Sequence, residues 1–490
     1  MSHHFVTTAA SSTTDRPTFE ADALGFVIVW SKREPDRLAE TCLLVPYEKM
    51  IGGRGTKLGL KGFLRFGQHR PGGAPLLAPL EYALLDERIS REQFEATSDG
   101  DTIAITVTGN CPTFVNGKRI EKAGSATLKK NDLLLLEDSL LLLVVERKRI
   151  MPALKYFTTI HPFGKVDCID TVGEGPAVWA LRDLIALAAA RLDHVLISGE
   201  TGTGKEALAL GIHRLSERAH RIFNPMNAAA IDEGLLAAEI FGSPANFPNA
   251  GMPARDGLLP VADGGTAFMD EIGGISLKIQ TALRRVLAAR QYHKVGESRM
   301  RLLTAAIVAA TSAPLSVLDL DFLKRFARII YVPALRDRKE DIALILRYII
   351  LQEAAQYPKA LAQFLETGPD GELHPRVSVE FVAGLLRHDL PGNVRDVRNY
   401  ALLALEQSAD SDTIGIPREL EADLARPPRS GTRPASAPTA PRAKPSREEI
   451  VAALEEAGSV LGATLILGVP RSTLRAWMKE YGISSKEKAG

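Results

Sequence analysis

The chain has 490 residues, a formal net charge of +1, 45% hydrophobic residues and 24% charged residues. That length is too great for one hydrophobic core and predicts roughly three domains. The near-zero charge excludes a globally basic, nucleic-acid-coating protein, so any nucleic-acid surface must be local. Cys42, Cys111 and Cys168 lack C-x-x-C spacing, which argues against a disulfide framework or zinc site and for a reducing compartment.

Residues 1–23 are polar, lack a basic stretch followed by an apolar run, and are expected to form a disordered tail rather than a signal peptide. Residues 24–150 carry short apolar runs, "FVIVW", "TCLLVP" and "TIAITV", between Gly, Pro and Asn turns, the pattern of an all-β sandwich. The run "LLLLEDSLLLLVVE" is split by Glu137 and Asp138 and is too short to span a bilayer, so no membrane partner and a cytoplasmic location are expected. In 160–345, strand-like runs such as "HVLISG", "GTAFMD" and "TAAIVAA" alternate with helical segments, predicting an α/β domain with a parallel sheet. A helical region follows over 346–410. The segment 411–445, rich in Pro, Ala, Ser and Arg with no acid between Asp423 and Glu448, predicts a basic linker. A small all-α unit is expected over 446–485.

The strongest motif is "ISGETGTGKE". An apolar strand enters Gly199, Glu200, Thr201, Gly202, Thr203, Gly204 and Lys205, and a helix starts at once. Glycines turn successive backbone N–H groups toward phosphates, the helix N-terminus adds its dipole, and Lys205 reaches the β- and γ-phosphates. The general pattern places Ser or Thr after the Lys, whereas Glu206 stands here. A second strand, "GGTAFMDE", ends in Asp270 and Glu271. An Asp there orients the shell of a Mg2+ ion, and the neighbouring Glu polarises an attacking water. A nucleoside triphosphate and Mg2+ are what this pair of motifs calls for.

"GETGTGKE", "GGTAFMDEIG", "LRDRKEDI" and "LPGNVRDVRN", in this order over about 165–405, resemble the central AAA+ ATPase domain of bacterial sigma-54-dependent transcriptional activators. In that family Glu normally follows the P-loop Lys, so Glu206 agrees with it. By position, Asn227 resembles the switch Asn that couples the γ-phosphate to the catalytic Glu271. Thr311 falls at sensor I, with Ser312 where the family usually has Asn, and Arg395 matches the sensor II Arg of the helical lid. The family usually has two arginine fingers acting across the subunit interface. Arg325 fits one, Asp319 occupies the other position, and a one-residue shift makes Arg328 a further candidate. The resemblance implies a homo-oligomer, a hexamer, with ATP between subunits.

Relatives carry a loop reading GAFTGA that engages sigma-54. Here "EIFG" leads to Ala245-Asn246-Phe247-Pro248-Asn249-Ala250, which keeps Phe247 as the partner-loop residue. Pro248 stands where Thr belongs and Asn249 where the second Gly belongs. Proline fixes φ and supplies neither N–H nor hydroxyl, and Asn restricts a backbone that Gly leaves free.

The tail "LGATLILGVPRSTLRAWMKEYGI" resembles the Fis-type helix-turn-helix that ends many such activators. Pro470 suits a helix start, and Arg471, Arg475 and Lys479 recur on one face with Ser472 and Thr473 nearby, a set suited to double-stranded DNA. Leu454, Leu465, Leu474 and Ala453 are expected in its core. In the β block, "LDERISREQ" and "NCPTFVNGKRI" resemble a forkhead-associated domain. The resemblance implies a phosphothreonine protein as partner, held by Ser90, Arg91 and Asn116. Two departures stand out: the family's "GR" aligns with Gly67-Gln68 and its structural His with Gln93.

Together these readings imply a DNA-binding regulator that couples ATP hydrolysis in a ring to RNA polymerase holoenzyme carrying sigma-54. Two alternatives stand beside it. One is a sigma-54-independent regulator using ATP only for assembly; the other is a phosphopeptide-binding adaptor with an inactive engine.

Overall fold

The computed structural model describes residues 22–55, 62–77, 83–159, 161–191, 193–247, 249–425 and 445–457, with 474, 477, 478 and 481. The β block forms a sandwich of an eight-stranded and a four-stranded sheet. Strands Asp22–Ser31 and Leu140–Lys148 pair antiparallel along almost their whole length, with a bulge between Ile28 and Trp30. The run split by Glu137 and Asp138 is a hairpin: Leu133–Leu136 pairs with the 140–148 strand, and Asp138 takes the positive φ of the turn.

Asp22–Ser31 reads as a nearly unbroken apolar run instead of alternating, and the packing explains why. Seven consecutive residues, Ala23 to Val29, are buried. The strand belongs to one apolar cluster that also contains the helices Ile342–Gln356 and Val379–Arg387. With both faces covered, neither face tolerates polar side chains. Trp30 Nε1 donates to Val377 O at 2.7 Å, tying the strand to the lid region.

The α/β domain has five parallel strands in the order Phe223–Asn227, Thr266–Asp270, Ala306–Thr311, Val195–Ser198, Arg328–Tyr331. Strand periodicity divides their side chains between two cores. Ile307 and Ala309 face the cluster containing Leu236, Ile240 and Leu283, whereas Val308 and Ala310 face Ile185, Leu208 and Ile212. The first core holds the helices Glu233–Phe241 and Leu277–Ala289; the second holds Pro176–Arg191 and Lys205–Leu215. Sheet covered by helices on both faces is the expected α/β layering.

The lid comprises Ile342–Gln356, Val379–Arg387 and Val394–Gln407, and the structure extends it by Arg418–Ala425. That last helix lies inside the segment assigned to the linker from 411. Leu420 is fully buried, and a Cβ at Gly384 would touch both Leu420 and Leu424, so two leucines one turn apart dock the helix on the lid. Ile414 is fully buried as well. In the C-terminal unit, helix Arg447–Ala457 brings Ile450 against Leu474 and Met478, with Leu454 beside them. Leu454 and Leu474 thus lie in that small core. Among the described residues no helix is long and apolar enough to cross a membrane.

Candidate nucleotide site and partner loop

The strand Val195–Ser198 delivers the glycine loop to the helix Lys205–Leu215 at the edge where the parallel strands end. Gly202 and Gly204 have φ of 77° and 93°, a region that L side chains rarely adopt, so glycine is needed at both. Thr203 is buried and its hydroxyl donates to Glu200 O at 2.8 Å, fixing the turn. Thr201 and Glu206 stay exposed.

Lys205 is buried, and its ammonium donates to Gly199 O at 3.0 Å and Glu200 O at 3.2 Å. Glu271 Oε1 lies 3.9 Å away. Burial pulls the ammonium below its ordinary range, against the opposite effect of Glu271 and Asp270. Burial likewise raises the Asp270 carboxyl, whose Oδ1 accepts from Glu271 N at 2.9 Å. A buried cation and two acids thus stand together beside the glycine cradle. Among the described residues no group of three or more His, Cys, Asp or Glu gathers to hold a metal. The two carboxylates suit a cation that keeps waters and phosphate oxygens in its shell, which is how Mg2+ binds.

Glu271 has a left-handed backbone, φ 53°. Its Oε2 accepts from Ser312 N at 3.0 Å and Ser312 Oγ at 2.7 Å. Ser312 is thus the sensor-loop side chain that reaches the acid, and it was not among the selected site residues. Its sequence signal was its position where relatives carry Asn. Thr311 is fully buried, and its hydroxyl accepts from Ala313 N at 3.1 Å, shaping the loop rather than facing the centre. Asn227 sits opposite Asp270 in the sheet, but its Oδ1 accepts from Ala229 N at 3.0 Å and caps the turn that follows. In this conformation Ser312, not Asn227, grips Glu271.

The lid closes directly on the P-loop. Arg336 makes a bidentate pair with Glu200, both distances 2.7 Å. Asn393, fully buried, donates from Nδ2 to Thr201 O at 3.0 Å and accepts at Oδ1 from Leu335 N at 2.7 Å. Val394 N donates to Gly202 O at 3.0 Å, and a Cβ at Gly202 would stand 3.2 Å from Arg395 Cβ. Arg395 is therefore at the glycine loop with its side chain exposed. Arg336 and Asn393 were missed as individual residues, although both lie inside the quoted motifs.

Arg325 is exposed, whereas Arg328 pairs with Asp193 at 3.3 Å, which leaves Arg325 the better placed of the two for an outward role. Asp319 caps the turn 320–323 by accepting from Phe322 N at 2.8 Å.

The partner loop is a stapled hairpin. Ser243 and Arg255 exchange backbone hydrogen bonds of 3.0 and 2.9 Å, and Arg255 also pairs with Glu239. Asn246 takes φ 64°, donates from its N–H to Met252 O at 2.8 Å, and accepts at Oδ1 from Gly251 N at 2.8 Å. Asn thus builds the turn that small residues leave loose. Phe247 is half-buried, and a Cβ at Gly296 would clash with its ring at 2.5 Å, so the ring lies on the 293–299 loop. Pro248 lies outside the described residues.

On the sandwich, Ser90 Oγ accepts from Asn110 N at 2.9 Å, and Lys122 Nζ donates to Asn110 Oδ1 at 2.9 Å. Arg54 N donates to Ser90 O at 3.1 Å, and Gly55 N to Arg91 O at 3.0 Å. The loops that meet at Ser90 and Arg91 therefore carry Arg54 and Asn110. Asn116 occupies a hairpin turn, where its side chain accepts from Leu133 N and donates to Asp132 Oδ1, both 2.9 Å. Gly67-Gln68 is a short strand on which Leu76 O leaves no room for a Cβ. Gln93 is fully buried, donates to Cys111 O at 2.7 Å and Thr113 Oγ1 at 3.1 Å, and accepts from Cys111 N at 3.2 Å. It pins the 109–113 loop against the 90–93 loop. In the sequence Arg54 lies in "IGGRG" and Asn110 in "GNCP", each a short local pattern. Arg471, Ser472, Thr473, Arg475 and Lys479 lie outside the described residues.

Residues 171–330 match the family described as the Sigma-54 interaction domain. The DNA-binding transcriptional activator HyfR of Escherichia coli K12 is 32% identical over 338 residues, covering 65% of this chain and 48% of that protein. The transcriptional regulatory protein ZraR of Klebsiella oxytoca is 33% identical over 320 residues, covering 62% of this chain and 67% of that protein. The chain thus spans about half the length of the first of these relatives and two thirds of the second. Among solved structures, NtrX from Brucella abortus in complex with ATP matches with 26% identity and a TM-score of 0.45, over 64% of this chain and 69% of that one. With a glycine cradle, Lys205, Asp270 and Glu271 converging on one centre under a helical lid, the chain belongs to the sigma-54-dependent transcriptional activators, with an AAA+ domain at its middle.

Proposed function

We propose that the protein hydrolyses ATP in a ring-shaped homo-oligomer, a hexamer, and uses the cycle to act on RNA polymerase holoenzyme carrying sigma-54. The observation that carries this reading is the grip of Ser312 on Glu271 beside the buried Lys205. Lys205 neutralises the β- and γ-phosphates, and the backbone N–H groups of 200–205 orient them. Asp270 holds the shell of Mg2+, which when bound neutralises developing phosphate charge. Glu271 receives the proton of the attacking water once Ser312 releases it. Arg395 meets the nucleotide from the lid, and Arg325 reaches the site of the adjacent subunit, stabilising charge that one subunit leaves uncompensated. Phe247 and its hairpin then move from the 293–299 loop toward the polymerase.

Double-stranded DNA is bound by the C-terminal unit through Arg471, Ser472, Thr473, Arg475 and Lys479 in the major groove. The small core around Leu474 supports a folded unit there. The sandwich recognises a phosphothreonine protein through Ser90 and Arg91, and the loop meeting at Ser90 adds Arg54 and Asn110 to that set. A second reading, a sigma-54-independent regulator using ATP for assembly, is favoured by Asn249 and by the seating of Phe247 on Gly296.

ATP turnover of wild type against Lys205→Ala tests the engine. Clear turnover lost in the variant supports it, and equal negligible rates leave only an adaptor. Promoter regulation that persists in cells lacking sigma-54 selects the second reading over the first.

A further inference from the structure

We propose that the cleft between the sandwich and the helix Pro176–Arg191 is a binding site for a small, uncharged, mainly apolar molecule that carries a hydrogen-bond acceptor beside a donor, such as an aryl amide. The cavity measures about 570 Å3. That lies within the ~300–1,000 Å3 common for small-molecule sites. Its apolar walls include Met151, Pro152, Leu154, Pro176, Ala180 and Leu184.

Two buried polar rings line this cavity. His69 is 1% exposed and Trp179 is 4% exposed. Nε1 of Trp179 makes no hydrogen bond within the chain, and the nitrogens of His69 meet only the backbone of Gly73 and Arg149, short of full hydrogen-bond geometry. Buried polar atoms are costly without full partners and are seldom left so, and both rings belong to the lining of one cavity. Burial, with the nearby Arg147 and against the opposite effect of the Gly73 and Arg149 backbone, holds His69 down to about 4, so at neutral pH its ring is neutral, with one N–H donor and one acceptor nitrogen. Trp179 offers a donor. A carbonyl and an adjacent N–H on the ligand complement that set.

Charge on the walls is already balanced, which selects an uncharged occupant. Arg147 pairs with Glu340 at 2.7 Å. Asp183 Oδ1 accepts from the backbone N–H groups of Lys155, Tyr156 and Phe157 at 3.0, 2.7 and 3.0 Å. Glu146 pairs with Lys130 at 3.1 Å, and Asp22 stands opposite Lys148 in the strand register.

The place has reach. The helix Pro176–Arg191 shares its core with the P-loop helix, and Glu340 belongs to the same seven-residue segment as Arg336, which holds Glu200. An occupant of the cleft therefore bears on elements that touch the nucleotide loop from two sides.

The test uses the full chain with acetanilide as probe, followed by saturation-transfer NMR. The expected result is transfer to the probe with a low-millimolar Kd, as befits a fragment of this size. Ala180→Trp, which fills the cleft from an exposed helix position, abolishes the transfer with an unchanged unfolding temperature. His69→Phe keeps the shape and weakens binding about tenfold, the loss of one buried hydrogen bond. Equal transfer in wild type and Ala180→Trp overturns the proposal, because the probe then binds elsewhere. Transfer seen only after removal of residues 1–21 overturns it too, making that segment the occupant. No transfer from either form leaves a hydrated seam and no ligand site.

Discussion

The nucleotide centre and the partner loop lie in one domain and diverge in construction. At the centre the charged groups hold one another or the backbone: Lys205 on two carbonyls, Glu271 on Ser312, Glu200 on Arg336 and Asn393. The loop is fixed at its base by Ser243, Arg255 and Glu239, while Ala245, Asn246, Asn249 and Ala250 are exposed at its tip. A centre that depends on so many mutual contacts tolerates little change. A tip that depends on few accepts Asn and Pro where relatives keep Gly and Thr, and its chemistry must come from its partner.

The largest expected effect lies at the centre. Glu271→Gln is expected to bind ATP as wild type does and lose turnover about 10²–10⁴-fold, the usual share of a general base. Nucleotide titration beside steady-state hydrolysis checks this, and a loss below tenfold would break the contrast by making Glu271 dispensable. Next comes the lid clamp. Arg336→Ala leaves Glu200 with a lost bidentate partner and is expected to cost about 1–3 kcal/mol of stability in urea unfolding, with weaker nucleotide binding.

A third expectation concerns pH. His194 Nδ1 accepts from Ile307 N at 3.0 Å, which requires the neutral ring. Burial, with Arg290 and Arg218 outweighing Asp193, lowers it from 6.5 to about 4. The unfolded chain therefore binds the proton more readily, so this stability is present above pH 6.5 and is lost as pH falls toward 4. The loss is on the order of 2 kcal/mol, and unfolding midpoints of wild type and His194→Asn at pH 7 and pH 5 isolate it. The smallest expected effect is at the loop. Phe247→Ala should change ATP turnover by less than about twofold and stability by ~1 kcal/mol at most, since the ring is only half-buried. A large drop in turnover would erase the difference between the two regions.

What the sequence disclosed follows the same division. The P-loop, Asp270 and Glu271 are legible because their chemistry depends on adjacent residues on a strand end and a turn. Arg336 on Glu200, or Ser312 on Glu271, joins segments far apart in the chain, and no local pattern announces the pairing. Asn116 resembled a binding Asn by its "NG", yet its side chain serves its own turn, and Asn110 is the residue delivered to Ser90. The apolar strand Asp22–Ser31 was recognisable as a strand, but that its second face meets the lid was hidden, because an unbroken apolar run does not name what covers it. Arg418–Ala425 was absorbed into the linker since two leucines in a polar helix leave a weak periodic signal.

In the function proposed above, this ATP centre still drives sigma-54 polymerase through a loop of altered sequence. Promoter opening in vitro, with purified sigma-54 holoenzyme, the full chain and ATP, measures that directly. The expected result is open complexes that require ATP and vanish in both Glu271→Gln and Phe247→Ala. ATP hydrolysis at full rate with no open complex at a promoter the protein occupies would contradict it.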